Sequence, residues 1–516
     1  MAQAPEEFTS LKAVEPLSHI AARAAMVSGS AEVVTRVLTV LLSIATARVL
    51  EPVEVGFLGL AVIVVGVVSM LSFYPETAAI TARGGESESR YAFASSVIRA
   101  SILAVALAAI WLSFSWIARH LTGNDNVGPL RDLVLVLMWM PLLELLGGYP
   151  QVVMQRRLDL GLIARLQILQ PALFVAVAIA LLITGYGYIG VAWANVVSGT
   201  VVTVMLWYRL FSTGRAGWGG WPSKMVWRDT WRGTVKVLIG GFGGYLGGRV
   251  DNLLVAGSIG PAAMSYYSMA WNASRTPANV FARAINFVLV PALARIQDDP
   301  IRVQRALKEC VRNSYLLLAP ACGLMFVSAP QLVSYLLGTK WLLVVPVLRI
   351  MCFTVLLAPI LHASAALLIG TGRAHLTGLA TLFHLSALAV LVPVLASLWG
   401  IRGAAYADMI ATSLLTIVLC ITAHVATRQI GLSLPATAAL PVLAASLVSL
   451  LAWVAGSATA TDAARLAAEC SIILIGYPLA LTVLGGKSRL FDLTSILRRV
   501  FRRSMALPEY QSQPES

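Results

Sequence analysis

Apolar residues run through this chain in blocks of roughly 20, the length a helix needs to cross a bilayer core of about 30 Å. The blocks continue almost without interruption from Ala24 to Gly485. They predict helices over 24–48, 56–80, 94–118, 127–149, 164–184 and 188–211. After a more polar stretch they predict 234–258, 262–294, 311–337, 344–369, 373–397 and 401–425, and then 432–455 and 465–484. The chain reads as an all-α polytopic membrane protein of about fourteen transmembrane helices.

The polar segments set the organisation. Residues 1–23 form an N-terminal segment without the basic-then-apolar order of a cleavable signal. A first lobe of six helices spans 24–211, and a second spans 234–425. The linker between them, 212–233, carries Trp218, Trp221, Trp227 and Trp231 among basic residues, a mixture that favours the headgroup level. Helices thirteen and fourteen occupy 426–484. The tail, 485–516, is basic, and its stretch 487–503 has the spacing of an amphipathic helix for an anionic surface. Lys and Arg gather in alternate connections, at Arg156 and Arg157, at Arg215 to Arg232, at Arg295 to Arg312 and in the tail. That bias places both termini in the cytoplasm and the chain in the cell inner membrane.

The two lobes resemble each other. Gly187-Tyr-Ile-Gly190-Val-Ala192-Trp193-Ala194-Asn195 aligns with Gly400-Ile-Arg-Gly403-Ala-Ala405-Tyr406-Ala407-Asp408, and Leu50-Glu-Pro52 aligns with Ile259-Gly-Pro261. Six helices is an even number, so both copies insert in the same sense, as in transporters built from parallel repeats.

Polar residues inside the apolar blocks fall on stripes. In helix eight, Ser265, Ser268, Asn272, Arg275, Asn279, Arg283 and Asn286 share one face. A membrane arginine facing lipid costs somewhere between about 3 and 17 kcal/mol. This face is therefore expected to line a water-filled substrate cavity or to contact other helices, and Arg283 can snorkel to the interface. In helix one, Glu32 and Arg36 stand one turn apart beside a row of Ser and Thr, so they can pair, either as a structural ion pair or as an exchangeable pair in the substrate cavity. In helix seven, Gly240, Gly244 and Gly248 have close-packing spacing and make bending easy, which marks them as a hinge. Arg249 and Asp251 follow at depth, either as an ion pair between helices or as cavity residues. Glu76, Arg99, Glu144, Arg349, Asp408 and Glu469 read as further buried or near-buried charges, most of them near helix ends.

Composition narrows the chemistry. The 516 residues are 58% hydrophobic and 12% charged, about half the charge of a soluble domain. The net charge of +14 is explained by basic cytoplasmic loops, and no nucleic-acid partner is expected. Cys310, Cys322, Cys352, Cys420 and Cys470 are scattered, which argues against disulfides and metal sites. No catalytic residue and no cofactor is expected, and the chain does not read as an enzyme.

Two segments carry a family resemblance. One is Ala47-Arg-Val-Leu-Glu-Pro52-Val-Glu-Val-Gly56 with its following helix; the other is Asp251-Asn-Leu-Leu-Val-Ala-Gly257, the turn Gly260-Pro261, and Tyr266 and Tyr267. Over roughly 24–430 the chain is similar to the Wzx-type polysaccharide transport branch of the multidrug/oligosaccharidyl-lipid/polysaccharide exporter superfamily. Ser265 stands where that family often has glycine. The resemblance implies two six-helix lobes around a central cavity that receives an undecaprenyl-pyrophosphate-linked oligosaccharide. It implies a flippase of exopolysaccharide or O-antigen synthesis, with membrane lipid and the polysaccharide polymerase machinery as partners. Transport could be coupled to a proton or sodium gradient. A multidrug exporter of the same superfamily would favour cavity carboxylates over arginines. A membrane glycosyltransferase or polymerase would need a sizeable loop or an acidic cluster, and the longest connection here is only 212–233.

Overall fold

A computed structural model describes residues 34–81, 88–122, 127–156, 160–213, 220–284, 289–427, 434–457, 459 and 461–485. Among them every regular element is a helix. The first lobe comprises α1 (34–49), α2 (Pro52–Thr81), α3 (Glu88–Thr122), α4 (Val127–Leu137), α5 (Trp139–Arg156), α6 (Leu160–Ile183) and α7 (Gly187–Ser212). Then follow α8 (Lys224–Gly247), α9 (Val250–Ile259), α10 (Pro261–Ala284), α11 (Val290–Ile296), α12 (Pro300–Val327) and α13 (Ala329–Leu336). Last come α14 (Val344–Leu356), α15 (Ala358–Gly370), α16 (Ala374–Thr427), α17 (Leu434–Ser457) and α18 (Asp462–Gly485). By contacts the chain divides into two compact units between Tyr245 and Leu246.

Among the described residues ten helical stretches are long and apolar enough to cross a membrane. One of them, α16, is two helices joined at a kink, with Trp399 and Gly400 outside helical geometry. The segments α8 and α10, which begin the predicted helices seven and eight, are not among the ten, because their charged and polar residues lower their hydropathy. The predicted helix nine also shifts. It begins at Pro300 rather than 311, because the Asp299 side chain accepts hydrogen bonds from the Ile301 and Arg302 amides and Pro300 takes the first helical position. Its first turns are amphipathic, with Val303, Leu307 and Val311 fully buried, and so escape an apolar-run reading.

The repeat is written in the backbone as well. Gly187 and Gly400 both take left-handed φ, 58° and 59°, which costs glycine least. Three residues on, a Cβ at Gly190 would come within 2.9 Å of the Leu181 and Tyr186 side chains, and one at Gly403 would collide with the Leu395 carbonyl. Both glycine pairs thus let a helix turn back tightly on its predecessor. Likewise Pro52 opens α2 and Pro261 opens α10.

Each unit has its own core. In the first, Tyr91, Val152, Leu206 and Leu210 pack with neighbours, and in the second Leu293, Leu307, Ala363 and Leu367 do so. Outside these cores large apolar side chains stay uncovered: Trp111 is 81% and Val483 77% exposed, as lipid-facing positions must be.

Candidate functional site

The second unit gathers charged groups inside its own helix bundle. Arg275, on α10, reaches the carboxylate of Asp408 on α16, with 3.3 and 3.4 Å from its terminal nitrogen to the two oxygens. Asp408 is buried, 3% exposed at its side chain, while Arg275 keeps 30% of its side chain open. One turn earlier, Trp271 places its ring 4.6 Å from the guanidinium carbon, so the cation rests on an aromatic face as well as on a carboxylate.

A second carboxylate lies close by. Asp251, on α9, is buried, accepts from the Asn252 amide at 2.8 Å and from the Tyr267 hydroxyl at 3.2 Å, and faces the charges of Asp408 and Arg275. His362 faces Arg275, and His384 faces both Asp408 and Arg275. Two carboxylates, one permanent cation and two imidazoles therefore share a low-dielectric interior. Their mutual attractions are stronger there than in water, and any change in one charge is felt by the rest.

The stripe residues take different places. Asn272 is exposed on α10, and Arg249 is half-buried where the chain breaks between α8 and α9. Gly248 lies in that same break, and Gly240 and Gly244 sit within α8. Asn279 and Arg283 belong to α10, but their side chains, like Glu32 as a whole, lie outside the described residues. Arg36 is exposed on α1. The hydroxyls of these stripes are spent locally: Thr39 donates to the Thr35 carbonyl, Ser43 to that of Thr39, and Ser268 to that of Ser265. Such back-bonding satisfies Ser and Thr wherever they point, so the charged residues carry the information in the stripe.

The first unit holds its own charged group. Glu76 and Arg99, read from the sequence as buried or near-buried charges, are 4% and 2% exposed and paired at 2.8 Å between α2 and α3. Arg99 also donates to the Glu144 carbonyl of α5 at 2.6 Å, and Gly148 leaves the space its guanidinium fills, since a Cβ there would overlap it. The groups line a cavity of about 440 Å³ with Ser69, Gln151 and Gln170. Asp408 and Glu469 are likewise buried; Glu469 pairs with Arg465 one turn away at 3.0 Å.

Among the described residues no group of three His, Cys, Asp or Glu side chains could hold a metal ion.

The architecture is that of a polytopic helical membrane protein, with a buried charge cluster in each unit. The solved structures agree on fold. A lipid II flippase MurJ in an inward closed conformation superposes with a TM-score of 0.68 at 13% identity, covering 88% of this chain and 98% of that one. A multidrug resistance MATE family transporter, inward-facing, superposes at 0.63 and 15% identity over 78% of this chain and 96% of that one. The chain belongs to the polysaccharide biosynthesis protein family, whose profile matches residues 45–346, more than half its length. Curated relatives include an uncharacterized membrane protein in the cps region of Klebsiella pneumoniae, 25% identical over 169 residues, and the lipopolysaccharide biosynthesis protein WzxC of Escherichia coli (strain K12), 29% identical over 134 residues. These alignments cover 32% and 26% of this chain, and 34% and 27% of the respective relatives. The resemblance to polysaccharide transporters drawn from Ala47–Gly56 and Asp251–Gly257 is borne out.

Proposed function

We propose that the protein flips an undecaprenyl-pyrophosphate-linked oligosaccharide across the inner membrane for exopolysaccharide or O-antigen synthesis, by alternating access. The observation that carries this reading is the family match over 45–346, and the fold shared with a lipid II flippase supports it. The chemistry is compatible. A diphosphate needs a cation that stays charged away from bulk water, and arginine supplies charge with directional donors and does not deprotonate. Arg275 is held by Asp408 yet remains part-exposed, so phosphate oxygens can compete for it. Coupling to a proton or sodium gradient follows the same logic: positive charge delivered to Asp408 or Asp251 weakens the hold on Arg275 and frees it for the headgroup. The polymerase machinery would take the flipped glycan.

Buried Asp251 and Asp408 also suit an organic cation, which keeps the multidrug exporter as the second reading. Removing the gene distinguishes the two. Flipping predicts that a lipid-linked glycan accumulates on the inner leaflet; normal surface glycan with increased drug sensitivity would replace the first reading by the second.

Topology gives an independent prediction. A cysteine at Ser223 or Ser488 is expected to react with an impermeant maleimide only from the cytoplasmic side, and one at Ser258 only from outside. Labelling of Ser488→Cys from outside would break the even number of crossings.

A further inference from the structure

Away from the buried clusters, α12 and α17 of the second unit enclose a groove of about 460 Å³. Arg305, Lys308 and Arg312 leave α12 at spacings of three and four, so all three line one wall. Glu309 is the sole acid among the lining residues, and Arg302, one turn back, is engaged with Asp299 at 3.1 Å. Opposite stands Thr437 in the first turn of α17, a 24-residue helix whose amino-terminal amides add partial positive charge. Leu316 and Leu440 line the same groove and supply it with an apolar side.

Three cations against one acid leave this wall net positive. Both helices are long and apolar enough to cross the bilayer, and the groove lies near the amino-terminal ends of both. A basic rim beside an apolar side is the complement of a phospholipid: phosphodiester against the arginines, glycerol and upper acyl carbons against the leucines. We propose that this groove binds the headgroup of an anionic phospholipid of the leaflet on which the basic loops lie. The inference does not depend on what the protein transports.

The test uses the purified full chain in phosphatidylcholine nanodiscs with and without phosphatidylglycerol, read by native mass spectrometry and by Tm. Phosphatidylglycerol is expected to bind and to raise Tm. The Arg305→Gln/Lys308→Gln/Arg312→Gln variant should bind it on the order of 100-fold more weakly, since each basic residue at the membrane surface contributes roughly fivefold. Lys308→Gln alone, which leaves two cations in place, should lose about fivefold and serves if the triple variant does not fold. Unchanged phosphatidylglycerol affinity in either variant overturns the proposal. So does inorganic phosphate that displaces the lipid and matches its effect on Tm, which would make this a site for a soluble anion. Loss of transport with lipid binding intact speaks to flipping alone.

Discussion

Arg275→Ala is expected to lower transport by roughly 30-fold or more, since losing one hydrogen-bonded charge from the proposed headgroup site costs about 2–5 kcal/mol. The same change leaves the buried Asp408 carboxylate without its cation, and breaking a buried pair costs about 3–5 kcal/mol. Because Arg275 keeps 30% of its side chain open, the stability loss should fall at or below the lower end of that range. The two effects separate in Arg275→Ala/Asp408→Asn, where an amide replaces the stranded charge. That double variant should recover Tm and remain inactive. Arg275→Lys keeps the charge but not the fork, so partial activity is expected. Transport that returns together with Tm in the double variant would make Arg275 a structural residue and remove it from headgroup binding.

Arg99→Ala is expected to act in the opposite way, through folding. Glu76 is 4% exposed and Arg99 is 2% exposed, so deleting the cation leaves a buried carboxylate unpaired, at a cost of about 3–5 kcal/mol. A loss of about 1–2 kcal/mol can already change abundance several-fold, so the amount of protein in the membrane should fall at least that far. Replacing both partners, Glu76→Leu with Arg99→Leu, removes both desolvation costs and should return the protein level close to that of the parent. Gly148→Ala should mimic Arg99→Ala in milder form, because the added methyl displaces the guanidinium. Membrane protein level and Tm are the readouts. A double-leucine variant that is abundant and stable but inactive would show that this pair serves transport rather than packing.

The contrast between these pairs shows what was legible in the sequence. Helix positions could be read because a bilayer imposes a length and a polarity that composition reveals directly. The repeat could be read because Gly187 and Gly400 answer the same backbone demand, a left-handed turn before a close helix pair. Arg275 stood out because arginine at that depth is costly. Its partner did not: Asp408 lies 133 residues away and is joined to it only by the packing of α10 against α16. The pairing of Glu76 with Arg99, 23 residues apart on separate helices, was hidden for the same reason. Periodicity reports which face a residue occupies, not which helix meets that face. The early start of α12 had a signal, Asp299 followed by Pro300, which an apolar-run reading passes over.

The glycine-pinned turns also bear on how the chain is made. In the first unit the clusters around Leu42, Leu50 and Tyr91 draw only on residues before Tyr245. Their contact order is therefore bounded by half the chain. At about 5–20 residues per second, the ribosome needs on the order of tens of seconds to add the remaining half. Helical rearrangements are far faster than that. The first lobe thus has time to complete its core, with its Glu76–Arg99 charges already neutralised, before Asp408 is synthesised and Arg275 gains its counter-charge.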